Sequence, residues 1–127
     1  MKGLVKGEGL WKTYKLDSTE VHALRGLDIS VDAGEFVSIM GPSGSGKSTL
    51  LNLIGGLDTP TQGDLYIGGK NIAAMKDKEL TRMRAENIGY IFQTFNLLPA
   101  LSVRDNVEFP MRNLTGSKKM DKSSRIK

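Results

Sequence analysis

One stretch restricts this chain more than any other: Gly41-Pro42-Ser43-Gly44-Ser45-Gly46-Lys47-Ser48-Thr49. It meets the pattern G-x-x-x-x-G-K-[ST] with Gly41, Gly46, Lys47 and Ser48 at the fixed positions. Glycines let the backbone adopt positive φ and approach an anion with no Cβ in the way. Successive N–H groups then point inward as an anion nest, at the positive end of a helix beginning near Lys47. Lys47 supplies a point charge for β and γ phosphates, and the Ser48 hydroxyl suits Mg²⁺. The preceding Phe36-Val37-Ser38-Ile39-Met40 is a short, nearly unbroken apolar run, as expected of a buried parallel strand. Strand, glycine-rich loop and helix in that order make the chain α/β. At average residue usage the four fixed positions match by chance in roughly one such chain in a few hundred, which disfavours an ordinary Gly/Ser turn. The loop implies that the chain binds a nucleoside triphosphate or descends from one that did.

At 127 residues there is room for one domain with a modest core. Hydrophobic content of 39% and charged content of 25% describe a globular protein rather than a disordered one. No apolar run approaches the ~20 residues of a membrane-spanning helix, and no secretory signal opens the chain. The absence of cysteine excludes disulfides and thiolate metal sites and fits the cytosol. The net charge of +4 lies entirely in the last ten residues, where Lys118, Lys119, Lys122, Arg125 and Lys127 oppose only Asp121. Such a tail reads as a solvated helix face or a frayed end, so there is no nucleic-acid footprint.

The first third reads as antiparallel β. Leu10 to Leu16 is followed by Val21 to Leu24 and Leu27 to Val31, with Leu27, Ile29 and Val31 on one face and a bulge expected at Arg25-Gly26. A helix is expected from Lys47 to about Ile54, stopped by Gly55-Gly56. Asp64 to Ile67 reads as a short strand before a Gly68-Gly69 turn. Asp77 is expected to cap a helix through about Ala85, with Leu80 and Met83 facing inward. Ile88 to Phe92 reads as a second core strand ending at Gln93. Ser102-Val103-Arg104-Asp105 reads as a capping box opening a helix through Val107, which Pro110 would kink or end.

Four stretches, in order and at familiar spacing, resemble the nucleotide-binding domain of an ATP-binding-cassette (ABC) transporter, in the branch of macrolide exporters and lipoprotein-releasing ATPases. They are Tyr14 with Val21 to Gly26; Gly41 to Asn52; Gly55-Gly56-Leu57-Asp58-Thr59-Pro60-Thr61-Gln62-Gly63; and Phe92-Gln93-Thr94-Phe95-Asn96-Leu97-Leu98-Pro99. The resemblance implies a P-loop NTPase core with an N-terminal antiparallel β subdomain. Its parts would be the β region at about 1–34, the loop core at about 35–93, and the start of a helical subdomain at about 94–127. It implies ATP and Mg²⁺ as ligands. Gly41, Ser43, Gly44, Ser45, Gly46, Lys47, Ser48 and Thr49 would hold the phosphates, with Lys47 and Gln93 as the catalytic residues. Tyr14 would stack on adenine and Val21 pack on its edge. A plain strand tyrosine and plain core remain the alternatives for these two, and Trp11 competes for the base. Gln93 would ligate Mg²⁺ beside Ser48 and sense the γ-phosphate. The apolar Phe95 to Pro99 would receive a transmembrane permease subunit at the cytoplasmic face of the membrane, and a second copy of the ATPase would complete the ATP sandwich. Leu53-Ile54-Gly55-Gly56-Leu57 only superficially matches the family's L-S-G-G-Q signature and reads as a helix end. His22 reads as a solvent-facing strand residue.

The chain also departs from the family pattern. No signature motif, no Asp-Glu after four apolar residues and no late switch histidine occur. The likeness therefore covers the N-terminal half of a domain of roughly 220 residues. In the family, the strand before the phosphate loop and the strand before Gln93 are separated by two later strands. Here both would lack partners, leaving Val37, Ile39, Ile88 and Tyr90 facing gaps or solvent. Such a chain is expected to bind nucleotide without efficient hydrolysis. A non-catalytic module that docks on a membrane partner is the second reading. A small-molecule kinase is the third, opposed by the antiparallel region and the Phe92-Gln93 segment.

Overall fold

The computed structural model of the chain describes residues 3–112, which divide into two compact units, one ending at Thr81 and the other beginning at Arg82. The basic run at 118–127 lies outside the described residues.

The first unit is built on an antiparallel sheet of four strands in the order β2-β1-β3-β4. β1 is Val5–Leu16, β2 Thr19–Val31, β3 Gln62–Ile67 and β4 Lys70–Asn71. The long β1–β2 hairpin turns at Asp17, whose φ of 47° is in the left-handed region that aspartate tolerates. Leu10 pairs with Leu27 and Trp11 with Arg25, so Gly26 is an extra residue in β2 with φ +70°. The expected bulge is therefore present, inside one continuous strand. Further shifts between Gly7 and Leu10 and between Lys12 and Thr13 bend the ribbon again. Gly68 and Gly69, with φ of 55° and 79°, form the tight β3–β4 turn.

Helix α1, Lys47–Ile54, lies against β2 and β3. Its apolar residues recur at helical spacing, so Leu50 and Leu53 are buried together with Leu10, Leu24, Leu65 and Ile67 of the strands. The expected glycine stop is seen. Gly55 N–H donates to Leu51 O at 2.8 Å, Gly56 N–H donates to Leu53 O at 2.9 Å, and Gly56 takes φ +63°.

Helix α2, Asp77–Asn87, spans the boundary between the units, with Leu80 and Met83 buried as the spacing predicts. Asp77 is its first helical residue rather than its cap. The cap position falls to Lys76, whose N–H is accepted by Glu79 Oε2 at 3.0 Å. In the second unit, helix α3 is Val103–Arg112. It continues past Val107 and contains Pro110, correcting the expected earlier end. Ser102 Oγ accepts the Asp105 N–H at 3.1 Å. Aspartate is one methylene shorter than glutamate, and its Oδ2 accepts the Ser102 hydroxyl at 2.7 Å.

The expected strands at 36–40 and 88–92 do not form: both segments lack regular structure. A strand exists only through a ladder, and no neighbour supplies one to either segment among the described residues. Phe36 is 95% exposed, Met40 89% and Ile91 fully so, while Val37 is exposed and Ile39, Ile88 and Tyr90 are half-buried. Apolar runs that read as core strands are thus mostly in solvent.

Candidate functional site

The loop between residues 41 and 46 is shaped by its glycines. Gly44 and Gly46 take φ of 79° and 88°, and Gly46 is the left-handed residue directly before α1. A Cβ on Gly46 would stand 2.5 Å from the Ala23 carbonyl oxygen, so the glycine also lets the loop press against β2. At Gly44 a Cβ would meet nothing within 4 Å, so only its backbone conformation requires glycine there. No side chain caps the start of α1, and its first turn holds no acidic residue. The first N–H groups of the helix and its dipole therefore face outward as an anion-favouring end. Lys47 Nζ reaches back across the loop, donating to Gly41 O at 2.7 Å, Pro42 O at 2.6 Å and Ser45 Oγ at 3.3 Å. Its ammonium is thereby fixed over the glycine-rich backbone.

A cavity of about 700 Å³ adjoins the loop, lined by residues 22–28, 39–42 and 44–47 and by Leu50. The lining includes Gly41, Gly44, Ser45, Gly46 and Lys47 but not Ser43, Ser48, Thr49, Tyr14 or Val21. Ser48 is exposed at the second position of α1 and Thr49 half-buried at the third. Among the described residues no group of three His, Cys, Asp or Glu side chains forms a metal cage.

Tyr14 and Val21 are brought together, as direct cross-strand partners in the β1–β2 register, and so share one face of the hairpin. Val21 is exposed and Tyr14 half-buried. Trp11 instead sets its ring edge-on to His22, with centroids 6.1 Å apart at 88°. His22 is exposed, its Nδ1 2.9 Å from Thr13 Oγ1, as expected of a solvent-facing strand residue.

Sequence reasoning gave no role to Asp58, which the fold makes a hub. Its carboxylate accepts from Lys12 Nζ at 2.6 Å, its neighbour's Thr59 N–H at 2.7 Å and Tyr14 Oη at 3.1 Å. Burial pushes its carboxyl upward, but hydrogen bonds from Lys12, Thr59 N–H and Tyr14, with the Lys12 charge, outweigh this and hold it below the ordinary aspartate value. The only sequence signal was its place in the Gly55 to Gly63 stretch. Its partners on β1 lie 44 and 46 residues away, beyond any local pattern.

Gln93 belongs to the second unit, exposed at a bend. Before it, Tyr90 and Phe92 stack with centroids 5.2 Å apart, and burial of the unpartnered Tyr90 hydroxyl raises its pKa. After it, Phe95 is 93% exposed and Leu97 and Leu98 are exposed. Residues 97–107 enclose an apolar hollow of about 260 Å³ against the start of α3.

Against known proteins, the sequence profile of the family described as "ABC transporter" matches residues 24–127. An ABC transporter ATP-binding protein of Methanocaldococcus jannaschii, MJ0796, is 48% identical over 108 residues, covering 85% of this chain and 46% of the relative. A Thermotoga maritima ABC transporter ATP-binding protein is 48% identical over 111 residues, covering 87% and 47%. The Escherichia coli macrolide export ATP-binding/permease protein MacB is 47% identical over 110 residues, covering 87% of this chain and 17% of that protein. The solved dimeric, post-hydrolysis MJ0796 cassette bound to ADP and Pi superposes with a TM-score of 0.86 at 46% identity, covering 95% of this chain and 52% of that one. The chain thus spans about half the length of the two ATP-binding proteins.

Proposed function

The chain belongs to the ABC transporter family, and on that premise we propose that it is an ATP-binding part of a transporter's ATPase subunit, holding Mg²⁺-ATP through its glycine-rich loop. The observation that carries this reading is the loop itself. Gly46 enters α1 in the left-handed conformation, no side chain caps the helix, and Lys47 is held across the loop. The bound ADP and Pi of the solved relative support the same ligand class. In this reading the backbone from Gly41 through Ser43, Gly44, Ser45 and Gly46 wraps the phosphates, and Lys47 neutralises the β and γ groups. The first N–H groups of α1, including those of Ser48 and Thr49, complete the anion site. Ser48 would supply a protein oxygen to Mg²⁺, and Tyr14 with Val21 would offer a flat apolar platform to the base. ATP binding and hydrolysis in the whole protein would be coupled to transport across the membrane, from its cytoplasmic face.

The partners follow the same premise. The MacB relative joins ATP-binding and permease parts by name, and the solved relative is a dimer. The exposed Phe95, Leu97 and Leu98 are the surface proposed to meet a permease, and a second ATPase copy would share the nucleotide. No helix among the described residues is long and apolar enough to cross a membrane. That exposed apolar surface also favours the second reading, a docking module that does not turn over ATP.

Calorimetric titration with Mg²⁺-ATP tests the main reading. Lys47→Ala is expected to weaken ATP and inorganic tripolyphosphate alike. Equal ATP affinity for wild type and variant would overturn the phosphate-loop assignment.

A further inference from the structure

The Tyr14 ring is held by groups that lie outside the phosphate-binding pattern. Tyr14 Oη donates to Asp58 Oδ2 at 3.1 Å, and Asp58 Oδ1 accepts Lys12 Nζ at 2.6 Å. The same ammonium stands 5.1 Å from the centroid of the Tyr14 ring and also donates to the Thr59 carbonyl at 2.8 Å. Lys12 and Tyr14 alternate on one strand and so lie on one face, which brings cation and ring together. One ring face is thus taken by a fixed cation, leaving the other for a flat partner.

Asp58 is itself tied to the phosphate-loop helix. The N–H groups of Leu57 and Asp58 both donate to Asn52 O of α1, at 2.9 and 3.3 Å. Further along, Thr61 N–H donates to Trp11 O at 2.8 Å and Thr61 Oγ1 accepts Thr13 N–H at 3.0 Å. The chain leaving α1 is therefore tied back to α1 just before Tyr14's partner and laced onto β1 at and after it. A connected path runs from the phosphate loop through α1, Asn52 and Asp58 to the Tyr14 hydroxyl. The ion pair within it is shielded, with side-chain exposures of only 12% for Lys12 and 30% for Asp58, so it is screened less than a surface pair.

We infer that Asp58 and Lys12 are positioning residues for nucleotide. Asp58 locks the Tyr14 hydroxyl to the end of the phosphate-loop helix, and Lys12 backs the ring face turned away from the base. The separation between base platform and phosphate loop is then fixed in advance, so binding need not order it. This rests on the assignment of Tyr14 as the base platform made above. The competing explanation is that the network only fastens residues 58–61 to β1.

The test titrates the chain with Mg²⁺-ATP and with Mg²⁺-tripolyphosphate, which has the phosphates but no base. Asp58→Ala and Tyr14→Phe are expected to weaken ATP about fivefold to tenfold, the scale of one ordinary net hydrogen bond. Tripolyphosphate affinity should stay within about twofold. In a Tyr14→Ala background, Asp58→Ala should cost no further ATP affinity, because the residue it positions is gone. Asp58→Asn keeps an oxygen for the Tyr14 hydroxyl and should restore most of the ATP affinity. Lys12→Met should show a smaller loss selective for ATP. Equal losses for both ligands with Asp58→Ala would reduce the network to structural fastening and overturn the proposal. If that variant does not fold, Tyr14→Phe decides, since it removes one hydroxyl from a ring that stays in place. An unchanged ATP affinity in Tyr14→Phe and Asp58→Ala, with a selective loss in Tyr14→Ala, would overturn positioning while keeping the platform. No selective loss in Tyr14→Ala would overturn the platform, and positioning with it.

Discussion

The side-chain amide of Asn106 pairs with both backbone groups of Leu98: Oδ1 accepts the Leu98 N–H at 2.8 Å and Nδ2 donates to the Leu98 carbonyl at 3.1 Å. The same Nδ2 is 3.1 Å from Leu101 O and 3.0 Å from Ser102 O. One side chain in the first turn of α3 therefore organises the apolar loop that precedes it.

Asn106→Ala should release that loop. The Leu98 N–H and the Leu101 carbonyl would lose the amide, at about 1–3 kcal/mol where not rehydrated, while Leu98 O keeps the Leu101 N–H and Ser102 O keeps the Asn106 N–H. Hydrogen exchange at Leu98 should quicken markedly while amides of the β1–β2 ladder stay protected. Unchanged protection at Leu98 would show that the loop holds itself.

Gly46 and Gly44 make a matched pair for the phosphate loop. Both have positive φ, but only at Gly46 would a Cβ strike backbone, 2.5 Å from the Ala23 carbonyl oxygen. Gly44→Ala should cost about 1–2 kcal/mol from conformation alone. Gly46→Ala should cost more, because the loop must also move away from β2. Thermal melts of the two variants compare them directly, and equal shifts would remove the packing role of Gly46.

Hydrolysis is expected to be negligible in the 127-residue chain even where ATP binds. The sequence has no Asp-Glu pair to steady a metal shell and position water. Phosphate release should match a no-protein control. Turnover that Lys47→Ala abolishes would contradict this.

The Asp58 hub carries a pH signature. Hydrogen bonds from Lys12, Thr59 N–H and Tyr14 outweigh burial and lower the folded-state pKa beneath the ordinary 3.8. The unfolded chain then takes up the proton first, so the stabilisation is fully present above that value and is lost as pH falls through the folded-state pKa. Acid unfolding of Asp58→Asn should therefore be less steep below about pH 4 than that of wild type. Identical acid limbs would mean that the ion pair contributes nothing to stability.

Much of this was readable because local chemistry fixed it. Gly46 and the Gly55-Gly56 pair bracket α1, whose bounds of Lys47–Ile54 match the sequence expectation. Gly26 marked the bulge for the same reason, since left-handed backbone calls for glycine. The runs at 36–40 and 88–92 misled as structure because apolar content shows what a segment would bury and not whether a ladder partner exists. Pro110 misled in the other direction, for α3 extends beyond it to Arg112. Asp58 was invisible as a hub because its value comes from contacts across the β1 strand. Tyr14 and Val21 were chosen by resemblance alone, and only the hairpin register makes them neighbours.

The unpaired segments lead to the last prediction, which concerns assembly. Phe36, Met40, Ile91 and Phe95 are each at least 89% exposed, and the backbone at 36–40 and 88–92 joins no sheet. Apolar area is worth about 25 cal/mol per Å² when buried, so covering even a few of these side chains would rival a small domain's net stability. Open backbone next to exposed apolar groups also templates strand addition. The purified chain should therefore associate as its concentration rises, by strand exchange or aggregation, with the mean mass in light scattering increasing and the melt broadening. Phe36→Lys and Ile91→Lys should each reduce that association while leaving the β1–β2–β3 sheet intact, because neither residue belongs to it. A strictly monomeric chain across the range, with one cooperative melt and protected amides at 36–40 and 88–92, would mean that these segments find partners within the chain after all.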